Sequence, residues 1–139
     1  MFLPDINFWL ALTFEVHAHH VRAKQFFDSR PAEPFFFCRF TQQGFLRIAS
    51  NATVFGEEAV SLREGWHLYD RILSDSRVNL TDEPNDLEQY WRSYTNIDSP
   101  SPKFSSDAYL AAFARAKAIQ LVTFDQAFRQ FKDLNCVIL

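Results

Sequence analysis

Glycine is scarce in this chain. Only Gly44, Gly56 and Gly65 occur among 139 residues. That excludes a glycine-rich loop that cradles phosphate with its backbone, and the turn that opens a dinucleotide-binding unit. Cysteine is rarer still. Cys38 and Cys136 lie far apart, with no CxxC and no Cys/His spacing suited to zinc. Each sits in an apolar stretch, which reads as a buried free thiol in a reducing, cytoplasmic setting. No apolar run approaches the roughly 20 residues that cross a bilayer. Pro4 and Asp5 interrupt the N-terminus before the apolar region of a signal peptide can form. Basic excess is missing as well. With a formal net charge of −3, the chain cannot hold nucleic acid by bulk positive charge. Any such role has to be local, or has to lean on bound cations. No HExxH or Ser-His-Asp pattern is present.

What is abundant is apolar and aromatic. Hydrophobic residues make up 47% of the chain, enough for one globular domain over 1–139 without disulfides or structural metal. Sixteen phenylalanines exceed what a core of this size needs, so some of the rings are expected on a surface that meets a partner.

Apolar runs and periodicity divide the chain into short strands and helices. Strands are expected at Phe2-Leu3-Pro4, Phe35-Phe36-Phe37-Cys38, Val78-Asn79-Leu80, Gln120-Leu121-Val122-Thr123 and Val137-Ile138-Leu139. Pro4 weakens the first, since it cannot donate to a ladder. Helices are expected over Ile6–Phe14, Ala18–Ser29, Thr41–Ser50, Glu57–Leu73, Asp86–Tyr94 and Ala108–Ala118, with a short one over Asp125–Phe131. The Ser- and Pro-rich stretch Asp98–Ser106 reads as an exposed loop. Alternating short buried strands and helices predict an α/β fold with a mainly parallel sheet covered on both faces.

Three carboxylates occupy unusual places. Asp5 ends the first strand, Asp125 follows the Gln120–Thr123 strand, and Asp107 opens the most apolar helix. Ligands of parallel α/β sheets bind beyond the carboxyl ends of the strands, and there the three would converge. Carboxylates crowded together repel one another, and a hard divalent cation such as Mg²⁺ or Mn²⁺ resolves the conflict. Singly, Asp5 and Asp125 read equally well as helix caps; Asp107 does so less, because Ser105 and Ser106 already offer capping hydroxyls. Asn7 and Thr123 stand where a side chain could orient these acids. Arg39 and Arg47 flank the second strand and are candidates for phosphate contact, beside the ordinary reading of solvated arginines. His17, His19 and His20 point in different directions if helical, and read as solvated surface.

In this order along the chain, the segments Phe2–Asn7 with Trp9–Leu12, Thr41–Arg47, Asp107–Ala114 and Leu121–Asp125 resemble the PIN domain and, within it, the VapC toxins common in mycobacteria. The resemblance covers essentially the whole chain. It implies a three-layer α/β/α sandwich and a Mg²⁺-dependent endoribonuclease that cuts structured RNA, often tRNA or ribosomal RNA. The family's first, third and fourth acids fall on Asp5, Asp107 and Asp125, its Asn after the first acid on Asn7, and its Thr before the last on Thr123. It further implies the toxin half of a type II toxin–antitoxin pair, a homodimer, and a VapB-type antitoxin whose segment packs into an apolar groove beside the active site. Many PIN domains carry a Glu as second acid after the second strand. Here Gln42-Gln43-Gly44 stand in that region, which leaves a second metal ion loosely held and keeps open a catalytically degenerate PIN module.

Two other classes fit less well. A phosphatase with Asp5 as nucleophile needs an acid two residues on, where Asn7 stands. A receiver-like signalling module needs adjacent acids at the first strand and a Lys after a late one, and neither is present.

Overall fold

In the first strand, Phe2 and Leu3 point to opposite faces, and both faces are buried. The computed structural model describes all 139 residues, and in it β1 (Phe2–Pro4) is the middle strand of five. β2 is Phe35–Phe37, β3 Val78–Leu80, β4 Gln120–Thr123 and β5 Cys136–Ile138. Every pairing is parallel, in the order β3-β2-β1-β4-β5, with Leu3 beside Leu121 and Phe36 beside Asn79. Proline survives in this central strand because Pro4 is its last residue, and the ladder resumes through the Asp5 N–H, which donates to Val122 O at 2.9 Å.

The helices are α1 (Ile6–Thr13), α2 (His20–Asp28), α3 (Arg39–Ala49), α4 (Ala52–Phe55), α5 (Leu62–Leu73), α6 (Leu87–Tyr94) and α7 (Pro102–Ala116). On one face of the sheet, Phe2, Phe35, Phe37 and Val122 meet α1, α2, α3 and α5; on the other, Leu3 and Leu121 meet α6 and α7. Three layers result, as the alternation of Phe2/Leu3 and Leu121/Val122 requires. α7 is apolar nearly all round, with Ala108 and Leu110 to Ala114 buried, because it lies between the sheet and α6.

Several expected boundaries shift. Glu57–Leu73 is not one helix. A 3₁₀ turn covers Gly56–Glu58, Ala59 is extended, and α5 starts only after Ser61, whose hydroxyl accepts from the Glu64 N–H at 3.1 Å. This is the Ser-x-x-Glu signal of a helix start. Asp98–Ser106 is not all loop, since α7 begins at Pro102, with proline at the first helical position where its missing N–H costs nothing. Asp107 therefore sits in the second turn of α7, and Ser105 and Ser106 are helical residues, not caps. His17 and His19 precede α2: His17 Nδ1 accepts from the His19 N–H, and the His19 ring stacks on Phe124 at 4.3 Å.

The phenylalanines answer differently from expectation. None of the sixteen is exposed. They pack on one another, as in the edge-to-face contacts of Phe26 with Phe2 and Phe8 at 5.3 and 5.9 Å, and so fill the space between sheet and helices. The exposed large apolar residues are aliphatics and one tryptophan, among them Val54, Leu62 and Trp66. Both cysteines are free, Cys38 buried and Cys136 half-buried.

Candidate functional site

β1 continues outward on one side to β2 and β3, and the chain then returns to place β4 on the other side of β1. The strand order thus switches direction between β1 and β4, and the carboxyl ends of these two strands border a crevice. Asp5 follows one strand and Asp125 the other. α7 runs over the same edge and adds Asp107. All three line a single cavity of about 310 Å³, walled also by Ile6, Ile48, Phe40, Leu110 and Phe128.

Capping uses one oxygen of Asp5 and one of Asp125, and the second oxygen of each takes a bond from another element. Asp5 caps α1, its Oδ1 accepting from the Phe8 N–H at 2.7 Å, while its Oδ2 accepts from the Thr123 hydroxyl. Asp125 caps a 3₁₀ turn over Gln126–Gln130, its Oδ1 accepting from the Ala127 N–H at 2.8 Å and its Oδ2 from Lys103 Nζ at 2.8 Å. Asp107 caps nothing, and its Oδ2 accepts from the same Lys103 Nζ at 2.7 Å. Thr123 is fully buried and ties the strand ends together: its hydroxyl donates to Asp5 and accepts from the Asp125 N–H at 2.9 Å.

Electrostatically the acids are unequal. Burial pushes the Asp5 carboxyl up to about 6, against the pull of its bonds from Thr123 and Phe8, and the charges of Asp125 and Asp107 push the same way. The Lys103 ammonium holds Asp125 below the usual carboxylate range, helped by the Ala127 N–H. In return the hydrogen bond to Asp107, then that to Asp125, raises Lys103. The donor set is three hard carboxylates with no thiolate or imidazole among them, which suits Mg²⁺ or Mn²⁺. In this arrangement no three acidic, imidazole or thiol groups close around one point at metal-binding distance. Between Asp107 and Asp125 stands the Lys103 ammonium.

The other sequence-stated candidates divide. Asn7 lines the cavity but is exposed, and the bonds that orient Asp5 come from Phe8 and Thr123 instead. Arg47 lines the cavity from α3. Arg39 does not; its guanidinium donates to the Gln42 side chain one turn along the same helix. The stretch Gln42-Gln43-Gly44 contributes nothing to the cavity. Gln42 is buried, Gln43 points to solvent, and Gly44 lies so close to Ile6 that a Cβ there would stand 2.2 Å from its Cδ1. On that side α3 offers Phe40, Arg47 and Ile48 and no acid. Lys103 is the residue sequence reasoning missed. Its signal was the spacing of four to Asp107 behind a Ser-Pro helix start.

A larger depression of about 760 Å³ lies elsewhere, around Tyr94, Phe104 and Phe131, and none of the three acids lines it. No helix is long and apolar enough to cross a membrane.

The sequence pattern of the PIN domain matches residues 2–134. Ribonuclease VapC41 of Mycobacterium tuberculosis is 41% identical over 144 aligned residues, covering 100% of this chain and 99% of the relative. Ribonuclease VapC38 of the same organism is 31% identical over 135, covering 90% and 85%. Among solved structures, M. tuberculosis VapC20, described as a sarcin-ricin loop cleaving toxin, superposes with a TM-score of 0.69 at 22% identity over 93% of each chain. VapBC2 from Rickettsia felis, bound to a DNA fragment from its promoter, gives a TM-score of 0.72 at 12% identity, covering 99% and 97%.

Proposed function

Since the chain belongs to the PIN-domain family and, within it, to the VapC ribonucleases, we propose that it is a Mg²⁺-dependent endoribonuclease that cuts structured RNA, the toxin of a type II toxin–antitoxin pair. The observation that carries this reading is the meeting of Asp5, Asp107 and Asp125 on one cavity at the switch point of the sheet. These three would hold the ion, with Mn²⁺ as a substitute. When bound, the ion supplies an activated water and stabilises negative charge on the phosphate. Thr123 fixes the carboxylate of Asp5 and the backbone of Asp125, so both acids keep their aim. Arg47, on the rim, meets the phosphate backbone of the incoming RNA, and Arg39 adds a more distant positive charge on the same helix. Asn7 faces the cavity at the level of Asp5 and is free to bond substrate or water. The apolar walls from Ile6, Ile48, Leu110 and Phe128 limit water around the reacting phosphate.

The substrate class is tRNA or ribosomal RNA, in line with the loop named for the VapC20 neighbour. A homodimer and a VapB-type antitoxin are the expected assembly. Val54, Leu62 and Trp66, exposed on α4 and α5, give an antitoxin segment apolar surface to pack against. Two free thiols and no crossing helix accord with the cytoplasm. A catalytically degenerate module is favoured by one observation, the absence of any acid on the α3 wall.

Purified protein is expected to cleave tRNA or ribosomal RNA with Mg²⁺ or Mn²⁺ and to stop with EDTA, Asp107→Asn or Asp125→Asn. Sequencing of RNA ends after induction of wild-type and Asp5→Asn proteins then identifies the target. Cleavage that survives both EDTA and Asp107→Asn would overturn the metal site. A folded wild-type protein that cleaves no RNA would favour the degenerate module.

A further inference from the structure

We propose that Lys103 is a displaceable counter-ion built into the site: its ammonium occupies the place between Asp107 and Asp125 that a divalent cation needs, and the cation must expel it to bind. This rests on the reading of the three acids as a metal site.

Lys103 stands in the first turn of α7, and Asp107 lies four residues on, one helical turn away on the same face. If nothing else were involved, this would be an ordinary exposed helix pair. Asp125 makes it different. It comes from the far side of the crevice, at the end of β4, and its Oδ2 takes a bond from the same nitrogen. One ammonium therefore spans two elements that the sheet brings together. The carboxylates are the enclosed partners, 18% and 31% exposed, while the lysine side chain is 69% exposed. The acids are held by the fold, and the lysine lies over them from solvent on a flexible stem that can swing away without disturbing the core.

The charges show why it would leave. A single positive charge faces Asp107 and Asp125 at once, and Asp5 has no cation on it. A divalent ion brings twice the charge and approaches carboxylate oxygens at roughly 2.0–2.2 Å for Mg²⁺ or Mn²⁺, closer than the 2.7 and 2.8 Å of the ammonium. An ion held between Asp107 and Asp125 would compete with the ammonium for the same two carboxylates, and two cations that close repel each other. Lys103 thus keeps the acids paired when divalent ions are scarce and raises the concentration needed to load the site. Once expelled, the ammonium remains tethered beside the cavity that Arg47 also lines, where it adds positive charge for an RNA phosphate.

The test is Mn²⁺ titration by calorimetry on wild type, Lys103→Met, Lys103→Gln and Lys103→Arg, with Asp107→Asn as the control for specific binding. Methionine and glutamine remove the competing charge in apolar and polar form, so solubility effects of one variant do not enter. Both are expected to bind Mn²⁺ about tenfold tighter and to gain more melting temperature on adding Mn²⁺. Lys103→Arg should stay within about twofold of wild type, because the charge remains. Equal affinity in wild type, Lys103→Met and Lys103→Gln, or weaker binding by the two neutral variants, overturns the counter-ion and leaves the metal site standing. No Mn²⁺ binding by any of the proteins overturns both.

Discussion

Replacing Asp5 by Asn in the metal-free protein removes a charge that the fold carries at a loss. Asp5 is 6% exposed, and its carboxyl is raised from 3.8 to about 6. A group raised in the folded state favours folding fully below its unfolded value and loses that contribution as pH rises through its folded value. At pH 7.5 the loss is complete. At 1.36 kcal/mol per pH unit it comes to about 3 kcal/mol. Asn never ionises and avoids it. The Asn amide still accepts from Phe8, but the Thr123 hydroxyl loses the oxygen it donates to, which costs about 1 kcal/mol. The net expectation is a gain of about 2 kcal/mol at pH 7.5, or about 6 °C in melting temperature. It should shrink through pH 5.5 and reverse near pH 4, where the native carboxyl is neutral. Urea unfolding of both proteins in EDTA at these three pH values measures it. A variant no more stable than wild type at pH 7.5 would refute the reasoning, for it would mean that the Asp5 charge is compensated. The same substitution is expected to abolish RNA cleavage, and a change that stabilises while it disables is what a strained active-site charge produces.

Two further substitutions probe the supports of the site. Thr123→Val keeps the shape but leaves the Asp125 N–H unpaired and Asp5 held by the Phe8 N–H alone; a loss of about 2 kcal/mol in thermal melts is expected, with cleavage reduced, and Thr123→Ser should restore most of both. Gly44→Ala would set a Cβ 2.2 Å from Ile6 Cδ1 and 2.7 Å from Cγ1. About 1–3 kcal/mol of overpacking should outweigh the better helix propensity of alanine, and an Ile6→Ala background should erase the cost in a double-mutant cycle.

Much of this was readable from the residues. The pattern Phe2-Leu3, then Leu121-Val122, announces strands buried on both faces, and an acid just beyond each announces the crevice. Asp107 lies in the second turn of α7 and does not open it, and what brings it to the cavity is the path of that helix across the sheet edge, which no local signal encodes. Lys103 escaped because Ser99-Pro100-Ser101-Pro102 looks like loop, whereas Pro102 is the first helical residue. The number of phenylalanines suggested a sticky surface, but ring against ring is how this chain fills its interior. Ser61, by its spacing to Glu64, divides the long amphipathic stretch before α5, where the hydrophobic period alone runs on unbroken.

The order of strands also governs when this nuclease comes into being. Asp5 leaves the ribosome almost at once, but β1 lies between β2 and β4, and the latter begins only at Gln120. A fragment that stops short of that point has an N-terminal strand with one open side, no Thr123 to hold the first acid, and no Asp125 across the gap. Pairing segments so distant in the chain is slow and must wait for the last of them. The cavity that Asp5, Asp107 and Asp125 share is therefore closed only when synthesis is nearly finished, and a stalled or truncated product lacks it.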